Sequence, residues 1–350
     1  MRVSLDGIIF GLQRVGGIST YWLELARWCA ANPIIDAELV LPHTLISLDS
    51  AAIRALDLPL RRGRLPDWLG RYARAGCTTG ADIAHSSYYR LAQPGAARRQ
   101  VITVYDFTYE RYRKGLPRRV HTAQKQRAIR GADGIICISE NTRADLLAIY
   151  PDVDPARIIA VPLAVSRQRF FAVEPAARRA DLADCVLFVG ARNAYKRFDL
   201  AVAAVAASPG LRLALTGAPP NDAERAQLDQ LLPGRWLALG LLSPESLRTA
   251  YASAYATLCP SDYEGFGLPV LEAMACGCPV VIADRSSFRE VGGSAAHYAS
   301  DQRAECYVAA LAVLAQCRPA TVAAGYARAA VFSWERNFVA TEALYRRLMP

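Results

Sequence analysis

The sequence predicts an α/β protein with two doubly wound parallel sheets, each covered by helices. Its 350 residues exceed the size at which one hydrophobic core usually stops growing, so two domains of roughly 150 to 180 residues are expected. Short apolar, β-branched runs alternate with longer amphipathic segments, the pattern of parallel strands joined by helices. Apolar residues make up 53% of the chain and charged residues 21%, which is typical of compact globular proteins.

Two series of strands are expected. The first comprises Glu38–Leu41, Ile83–His85, Val101–Val104, Gly134–Ile138 and Ile158–Val161. The second comprises Val186–Val189, Leu211–Leu215, Trp236–Leu239, Ala256–Cys259 and Pro279–Ala283. We place the division, a candidate hinge, between Pro162 and Glu174, and predict a terminal helix over Trp334–Met349. The expected domains are therefore 1–165 and 166–330, followed by a C-terminal segment, 331–350.

The chain shows no sign of export or membrane insertion. Asp6 interrupts the first apolar stretch, so we expect no signal peptide. Uninterrupted apolar runs such as Pro279–Ala283 are far shorter than the roughly 18 residues needed to span a bilayer. The nine cysteines follow no zinc or disulfide spacing, which favours a reducing, cytoplasmic compartment.

The net charge of +9 comes almost entirely from the first half. Met1–Pro162 holds 22 Lys/Arg against 15 Asp/Glu, and Arg111–Arg130 contains eight basic residues and no acidic one. Such a segment suits an anionic membrane surface, reached peripherally from the cytoplasm, or a phosphorylated acceptor. A solvated helix face explains it equally well. Nucleic acid is not expected as a partner, because no nucleic-acid-binding motif accompanies the charge.

The most informative segment runs from Pro260 to Ile282 and predicts a strand, a glycine loop, a helix, a turn and a strand. Gly265 and Gly267 let backbone approach a ligand, and the helix start that follows offers free N–H groups to a polar ligand. Glu264 lies in the loop and Glu272 about one turn into the helix. A carboxylate accepts two hydrogen bonds from a vicinal diol, so the two acids can hold one sugar-bearing molecule.

A second group of polar residues follows the strand Val186–Val189. Gly190 ends that strand, and Arg192 and Lys196 stand four residues apart before the next helix. A guanidinium and an ammonium at this position can bind a pyrophosphate together. Two exposed basic residues are the alternative, and the glycine at the strand end favours the phosphate site.

Near the start of the chain, Gly16 and Gly17 precede a helix expected over Ile18–Ala31. Paired glycines at a helix start allow close approach to phosphate or sugar, although one such pair is a weak signal.

These motifs resemble those of the family 4 retaining glycosyltransferases over nearly the whole chain. The resemblance is carried by Arg192 with Lys196, by the run from Glu264 to Glu272 (Glu-Gly-Phe-Gly-Leu-Pro-Val-Leu-Glu), and by the Gly-Leu-Leu-Ser-Pro-Glu-Ser-Leu segment before it. It implies a GT-B fold, in which two Rossmann-like domains face each other across a cleft and a C-terminal helix packs back toward the N-terminal domain. The second domain would bind the nucleotide sugar and the first the acceptor.

The resemblance also assigns roles to residues. Glu272 would hold the donor ribose, Glu264 would contact the transferred sugar, and Arg192 and Lys196 would neutralise the leaving diphosphate. The other donor-site positions that it implies are Gly16, Gly17, Gly190, Gly217, Leu241, Leu242, Gly265, Phe266, Gly267 and Leu268.

One position departs from the family pattern. Many members carry His-Asp after the strand that matches Val101–Val104, and this chain has Tyr105-Asp106. Asp106 is then the remaining catalytic candidate near the sugar or the acceptor, or else a turn residue at the strand end. His85 either lines the acceptor site or is a structural histidine.

No metal is expected to take part. Asp152 and Asp154 imitate a metal-binding Asp-x-Asp pair, but they lie between two prolines, Pro151 and Pro155, in an expected turn. Basic side chains and helix N-termini can stabilise a leaving diphosphate without a cation.

The expected function is transfer of a hexose, mannose or a related deoxysugar, from a nucleotide diphosphate sugar to a saccharide or polyprenyl-diphosphate-linked acceptor in cell-surface polysaccharide or lipopolysaccharide synthesis. A GDP-linked donor is favoured over a UDP-linked one, and no separate cofactor is expected. The alternatives are a GT-B sugar-nucleotide epimerase and a non-catalytic scaffold subunit. A Rossmann dehydrogenase is disfavoured, because no GxGxxG motif follows a strand.

Overall fold

The computed structural model describes residues 1–14, 16–63 and 65–349, so Pro350, the end of the predicted C-terminal segment, lies outside it. The chain divides into two compact units. Among the described residues, the first unit consists of the range 1–163 together with 334–349, and the second of the range 164–333. Each unit contains one fully parallel sheet.

The first unit has a seven-stranded sheet in the order β3-β2-β1-β4-β5-β6-β7. Its strands are β1 Arg2–Asp6, β2 Asp36–Leu41, β3 Leu60–Arg62, β4 Ala81–Ser86, β5 Ala97–Val104, β6 Gly134–Cys137 and β7 Ile158–Ala160. Its helices are α1 Gly17–Ala31, α2 Ser50–Arg54, α3 Asp67–Gly70, α4 Thr108–Tyr112, α5 Gly115–Gly131, α6 Glu140–Ile149 and, from the end of the chain, α13 Trp334–Leu348.

Large buried side chains hold α1 and α13 on this sheet. Trp22 of α1 and Tyr345 of α13 are fully buried, and both contact the ring of His85 on β4. Phe338 of α13 packs against Trp28 of α1. The last helix therefore belongs to the core of the first unit, as the predicted fold class requires.

The second unit has a six-stranded sheet in the order β10-β9-β8-β11-β12-β13. Its strands are β8 Cys185–Phe188, β9 Arg212–Thr216, β10 Trp236–Gly240, β11 Ala256–Cys259, β12 Val280–Ala283 and β13 His297–Ala299. Its helices are α7 Phe198–Ala206, α8 Asp222–Leu231, α9 Pro244–Ser253, α10 Leu268–Ala275, α11 Phe288–Gly292 and α12 Ala304–Val331. Both sheets have the order of doubly wound Rossmann-like folds, which confirms the predicted fold class.

One helical stretch, 304–348, is long and apolar enough by length and composition to cross a membrane, with a mean hydropathy of 1.4 over its best 18-residue window. It consists of two helices, and α12 packs on α7, α10 and β13. Core helices of soluble proteins pass the same test, so this evidence is weak. The absence of a spanning segment, expected from the sequence, stays a prediction.

Candidate functional site

The predicted donor residues of the second unit follow neighbouring strands of its sheet. The loop 189–197 follows β8 and the loop 260–267 follows β11, and these two strands pair side by side. Sequence order reverses here, because β8 has β9 on one side and β11 on the other. In doubly wound sheets, ligands bind at the carboxyl ends of the strands at such a reversal.

Lys196 and Glu264 meet at this edge. Lys196 Nζ forms an ion pair with Glu264 Oε1, and both side chains are largely shielded from solvent. Ser261 Oγ also donates to Glu264 Oε1, at 2.8 Å. Burial is the largest single influence on Lys196 and by itself would lower its pKa, but the charge and hydrogen bond of Glu264, with smaller contributions from Tyr195 and Cys259, together raise the pKa above its ordinary value. Lys196 therefore carries a full positive charge at neutral pH.

Two serines from the loop after β12 hold the backbone around Glu264. Ser286 Oγ accepts from Glu264 N at 3.1 Å and donates to Glu264 O at 2.7 Å. Ser287 Oγ lies 3.0 Å from Glu264 O and 2.8 Å from Phe266 O. Among the described residues other than glycine, Ser286 is one of two with positive φ, and the other, Arg197, follows Lys196. The sequence interpretation missed both serines, although their place after a strand of this sheet was a usable signal.

The glycine loop ends where α10 begins. Gly267 has φ 101°, and a Cβ there would lie 3.1 Å from the ring of Phe288, so any other residue would be strained and crowded at this position. The Phe266 ring is buried against Phe332, and its carbonyl oxygen accepts from Ser287 Oγ. Leu268 is the first residue of α10, and its role in donor binding stays a prediction.

Glu272 lies one turn into α10 and accepts a hydrogen bond of 3.0 Å from the hydroxyl of Tyr251, on α9. Burial raises the pKa of Glu272 to about 7, and the Tyr251 hydrogen bond opposes that rise. Glu272 therefore changes charge close to neutral pH. No sequence signal pointed to Tyr251, which resembles any core aromatic residue on a helix.

The Arg192 guanidinium contacts the loop after β9 and helix α8. Its Nη2 donates to the carbonyl oxygens of Ala218 and Pro219, both at 2.9 Å, and its Nε lies 3.0 Å from Glu224 Oε2. The guanidinium thus connects the loop after β8 to the loop after β9. The structure does not show the joint Arg192–Lys196 site that the sequence predicted, and a phosphate contact by Arg192 stays a prediction.

The loops that carry Gly190, Gly217, Leu241 and Leu242, four of the donor-site positions implied by the resemblance, also converge at this edge. Gly190 and Gly217 both have positive φ, and a Cβ on Gly217 would lie 3.2 Å from Gly190 O. Gly217 N donates to Gly240 O at 2.9 Å. Leu241 follows and is 83% exposed, whereas Leu242 is half-buried. An exposed leucine at a strand end is free to contact the face of a base.

In the first unit, Tyr105 and Asp106, the pair that differs from the family pattern, form hydrogen bonds with nearby residues of the same unit. Tyr105 is buried, and its hydroxyl accepts from Trp22 Nε1 at 2.5 Å. The side chain of Asp106 accepts from Thr108 N at 2.9 Å, which is the turn geometry given as the alternative. Gly16 is the N-cap of α1 and Gly17 its first residue.

His85 is a buried structural residue. Its ring nitrogens bond to the hydroxyls of Tyr345, at 2.6 Å, and Thr103, at 2.9 Å. Burial lowers the pKa of His85 to about 3, so the ring is neutral. Of the two interpretations, the structural one fits.

The basic segment has a buried part and an exposed part. Lys125 is completely buried, where it pairs with Glu110 at 2.8 Å, so it is not part of any surface. Residues 111–120 are all exposed, and Leu116 is 70% exposed.

The Asp-x-Asp pair lies in a turn of the first unit. Asp152 pairs with Arg130, and Asp154 accepts from Ala156 N at 2.9 Å. Within residues 1–14, 16–63 and 65–349, no three His, Cys, Asp or Glu side chains are arranged to hold a metal ion.

The comparisons with known proteins agree with this architecture. Residues 16–164 match the glycosyl transferase 4-like domain, and residues 176–320 match the glycosyl transferases group 1 family. The D-inositol 3-phosphate glycosyltransferase of Frankia alni is 30% identical over 327 residues, which are 78% of this chain and 79% of that protein. Fold, site and sequence thus define a glycosyltransferase. The chain belongs to the group 1 glycosyltransferases of family 4.

Other relatives match over shorter regions. The D-inositol 3-phosphate glycosyltransferase of Mycolicibacterium paratuberculosis is 30% identical over 65% of this chain, and the match spans only 56% of that protein's length. The O-antigen chain mannosyltransferase B of Escherichia coli is 40% identical over 31% of this chain and 30% of its own.

Solved structures share the fold over the whole chain. Sucrose-phosphate synthase of Thermosynechococcus elongatus has a TM-score of 0.75 and 20% identity, over 99% of this chain and 98% of that one. HepE of Anabaena, solved with UDP and glucose, has a TM-score of 0.74 and 16% identity, over 98% of each chain. These likenesses support the GT-B fold.

Proposed function

We propose that this protein is a retaining hexosyltransferase that transfers a sugar from a nucleotide diphosphate donor. The observation that carries the proposal is the Lys196–Glu264 ion pair at the reversal point of the second sheet, beside the Gly265–Gly267 loop. An ammonium there can face the donor phosphates and a carboxylate the sugar hydroxyls, while Glu272 holds the ribose.

In the proposed reaction, the bond between the anomeric carbon and the donor phosphate oxygen breaks, and its electron pair stays on the leaving nucleoside diphosphate. The acceptor oxygen bonds to the anomeric carbon on the same face, and its proton goes to the donor phosphate. Lys196 stabilises the growing negative charge, so no metal ion is needed. Arg192 would assist if it leaves its partners around Ala218 when the donor binds.

We favour mannose or a related deoxysugar as the transferred group. The match to an O-antigen chain mannosyltransferase supports this choice and a role in surface polysaccharide synthesis. The acceptor that we propose is a saccharide or polyprenyl-diphosphate-linked saccharide in surface polysaccharide or lipopolysaccharide synthesis. The UDP bound to HepE supports a uridine donor instead, so GDP and UDP sugars are the two donors to compare.

We also propose a cytoplasmic protein that contacts the inner face of the plasma membrane through the exposed segment 111–120. Leu116 lies there among several arginines, and apolar and basic residues together favour anionic lipid. The protein is expected to sediment together with phosphatidylglycerol vesicles at low salt. Leu116→Ser with Arg118→Glu should abolish this binding, and equal binding by the variant would refute the proposal.

The decisive experiment is a thermal-shift panel of ADP, GDP, UDP and their sugars, because a ligand that binds only the folded state raises the melting temperature. Glu272→Ala should weaken the response, Lys196→Ala should mainly lower turnover, and Glu264→Ala should lower both.

Incubating the donor without acceptor tests the alternative enzyme, since an epimerase would return an isomerised sugar nucleotide. No response to any nucleotide would leave the scaffold role.

A further inference from the structure

Glu272 has a buried neighbour whose geometry fixes one of its oxygens. Tyr251 is fully buried on α9, and its hydroxyl donates to Glu272 Oε2 at 3.0 Å. Its ring packs edge-on against Phe170, with centroids 6.2 Å apart and an interplanar angle of 68°. Because α9 also packs on α10, the two ends of this hydrogen bond lie on helices of the second unit that contact each other directly.

The phenol is a permanent donor. Burial, together with the nearby charge of Glu272, holds the pKa of Tyr251 well above its ordinary value, so the hydroxyl keeps its proton across the physiological range. An ionised carboxylate only accepts hydrogen bonds, so in this pair Tyr251 is always the donor and the Glu272 carboxylate the acceptor. The bond takes one acceptor site on Oε2 and leaves Oε1, with the rest of Oε2, for other donors.

The orientation of Glu272 matters because a ribose offers two adjacent hydroxyls in fixed geometry. A carboxylate whose plane is already set accepts from both without first losing rotational freedom. A buried carboxylate without any donor would also tend to protonate, and a protonated acid accepts hydrogen bonds poorly.

We propose that Tyr251 is a positioning residue for donor recognition, which orients the Glu272 carboxylate toward the two ribose hydroxyls. This inference rests on the proposed function, in which Glu272 holds the ribose. It adds that discrimination between ribose and a sugar without these hydroxyls depends on a tyrosine that does not touch the ligand.

The test compares two ligands in three proteins. The ligands are the tightest-binding of ADP, GDP and UDP and its 2′,3′-dideoxy analogue, and their affinities are measured by calorimetry. The proteins are the wild type, Tyr251→Phe and Tyr255→Phe. Tyr255 is the matched control, because its hydroxyl bonds to a backbone carbonyl, Leu311 O, at 3.1 Å.

In Tyr251→Phe, we expect affinity for the ribose ligand to fall about tenfold, the size of one hydrogen bond to a charged group. Affinity for the dideoxy ligand should stay within about twofold of the wild type, because the groups that Glu272 would hold are absent from it. Tyr255→Phe should leave the ratio of the two affinities unchanged. A fall of equal size for both ligands, or an unchanged ratio in Tyr251→Phe, would overturn the inference.

A second measurement covers the case in which Tyr251→Phe does not fold. Replacing Tyr251 by 3-fluorotyrosine keeps the shape and makes the phenol a stronger donor, so the ratio of affinities should rise; an unchanged ratio again counts against the inference. Failure of the proposed function looks different, since the wild type would then bind no nucleoside diphosphate or would not distinguish ribose from dideoxyribose.

Discussion

Lys196 and Glu264 form an ion pair between the loops that follow β8 and β11. The two residues lie 68 positions apart in sequence, and the sheet order brings them together. Neither side chain is well exposed, so each depends on the other for charge compensation. Removing one partner of such a pair leaves the other buried and unpaired, which costs more than losing a surface ion pair.

Lys196→Met is expected to lower turnover about 100-fold or more, the usual effect of removing one group that stabilises transition-state charge. It should also lower the melting temperature, because Glu264 is left without its cation. The double variant Lys196→Met with Glu264→Gln should regain much of the melting temperature and none of the turnover. Steady-state kinetics and thermal unfolding check both statements. If Lys196→Met kept the turnover of the wild type, Lys196 would have only a structural role.

Nucleoside diphosphate affinity is expected to rise with pH around neutrality. The pKa of Glu272 is about 7 in the free protein because of burial. A carboxylate that accepts two ribose hydroxyls must be ionised, so binding favours release of its proton. About a tenth of Glu272 is ionised at pH 6 and about nine tenths at pH 8, so this group contributes roughly a tenfold gain in affinity.

Calorimetry between pH 6 and 8 measures the gain, and Glu272→Gln separates it from titration of the ligand phosphate. The amide cannot titrate, so its affinity profile contains only the phosphate contribution. Identical pH profiles for Glu272→Gln and the wild type would show that Glu272 does not control donor binding.

Ser286 has two separable properties, a hydroxyl that holds the Glu264 backbone and a φ of 54°. Ser286→Ala loses the hydroxyl and keeps the strained backbone, whereas Ser286→Gly loses the hydroxyl and relieves the strain. We expect the glycine variant to be about 1 kcal/mol more stable than the alanine variant in urea unfolding. Both should show reduced turnover, because the loop that carries Glu264 loses one of the two serine hydroxyls that hold its backbone. If only the alanine variant lost turnover, the hydroxyl would act by holding residue 286 at positive φ, a conformation that glycine adopts without it.

The sequence predicted the elements whose patterns are local. All ten expected strands exist, and the glycine loop and Glu272 occupy the expected loop and helix. The strands β1, β3 and β13 were missed. Both β3 and β13 have only three residues, and the buried side of β1 includes Ser4 and Asp6, which hide its apolar pattern.

The partners of the site residues could not be predicted, because they are set by the packing of distant segments. Arg192 is a clear case, since its partner Glu224 belongs to α8 and lies beyond the next strand of the chain. His85 and Tyr345 are another, because 260 residues separate them. Spacing along the chain shows that a basic residue lies near a strand end, but not which way its side chain turns.

Glu224→Gln tests how Arg192 acts. If Arg192 mainly connects the loops after β8 and β9, the amide should weaken nucleotide binding and lower the melting temperature together, because the Arg192 guanidinium loses its charged partner. Turnover at saturating donor should change by no more than about twofold. Arg192→Lys should behave in the same way, since an ammonium cannot reproduce the guanidinium's contacts with Ala218 O and Pro219 O while pairing with Glu224. A large loss of turnover with unchanged donor affinity in Arg192→Lys would instead support a direct phosphate contact in the transition state.

Asp106 has two interpretations that one pair of variants separates. Its side chain accepts from Thr108 N at 2.9 Å, and the Lys125 ammonium donates to its backbone carbonyl at 2.8 Å, so the residue has a clear structural task at the start of α4. Asp106→Asn keeps an oxygen for Thr108 N and removes the charge, whereas Asp106→Ala removes both. If Asp106 only forms the turn, Asn should match the wild type in turnover and melting temperature, and Ala should lose about 1 kcal/mol of stability, the usual cost of losing such a cap. If the carboxylate acts on the sugar or the acceptor, Asn should lose as much turnover as Ala while keeping its stability. The structure favours the first outcome, because the observed bond to Thr108 N needs an oxygen and not a charge.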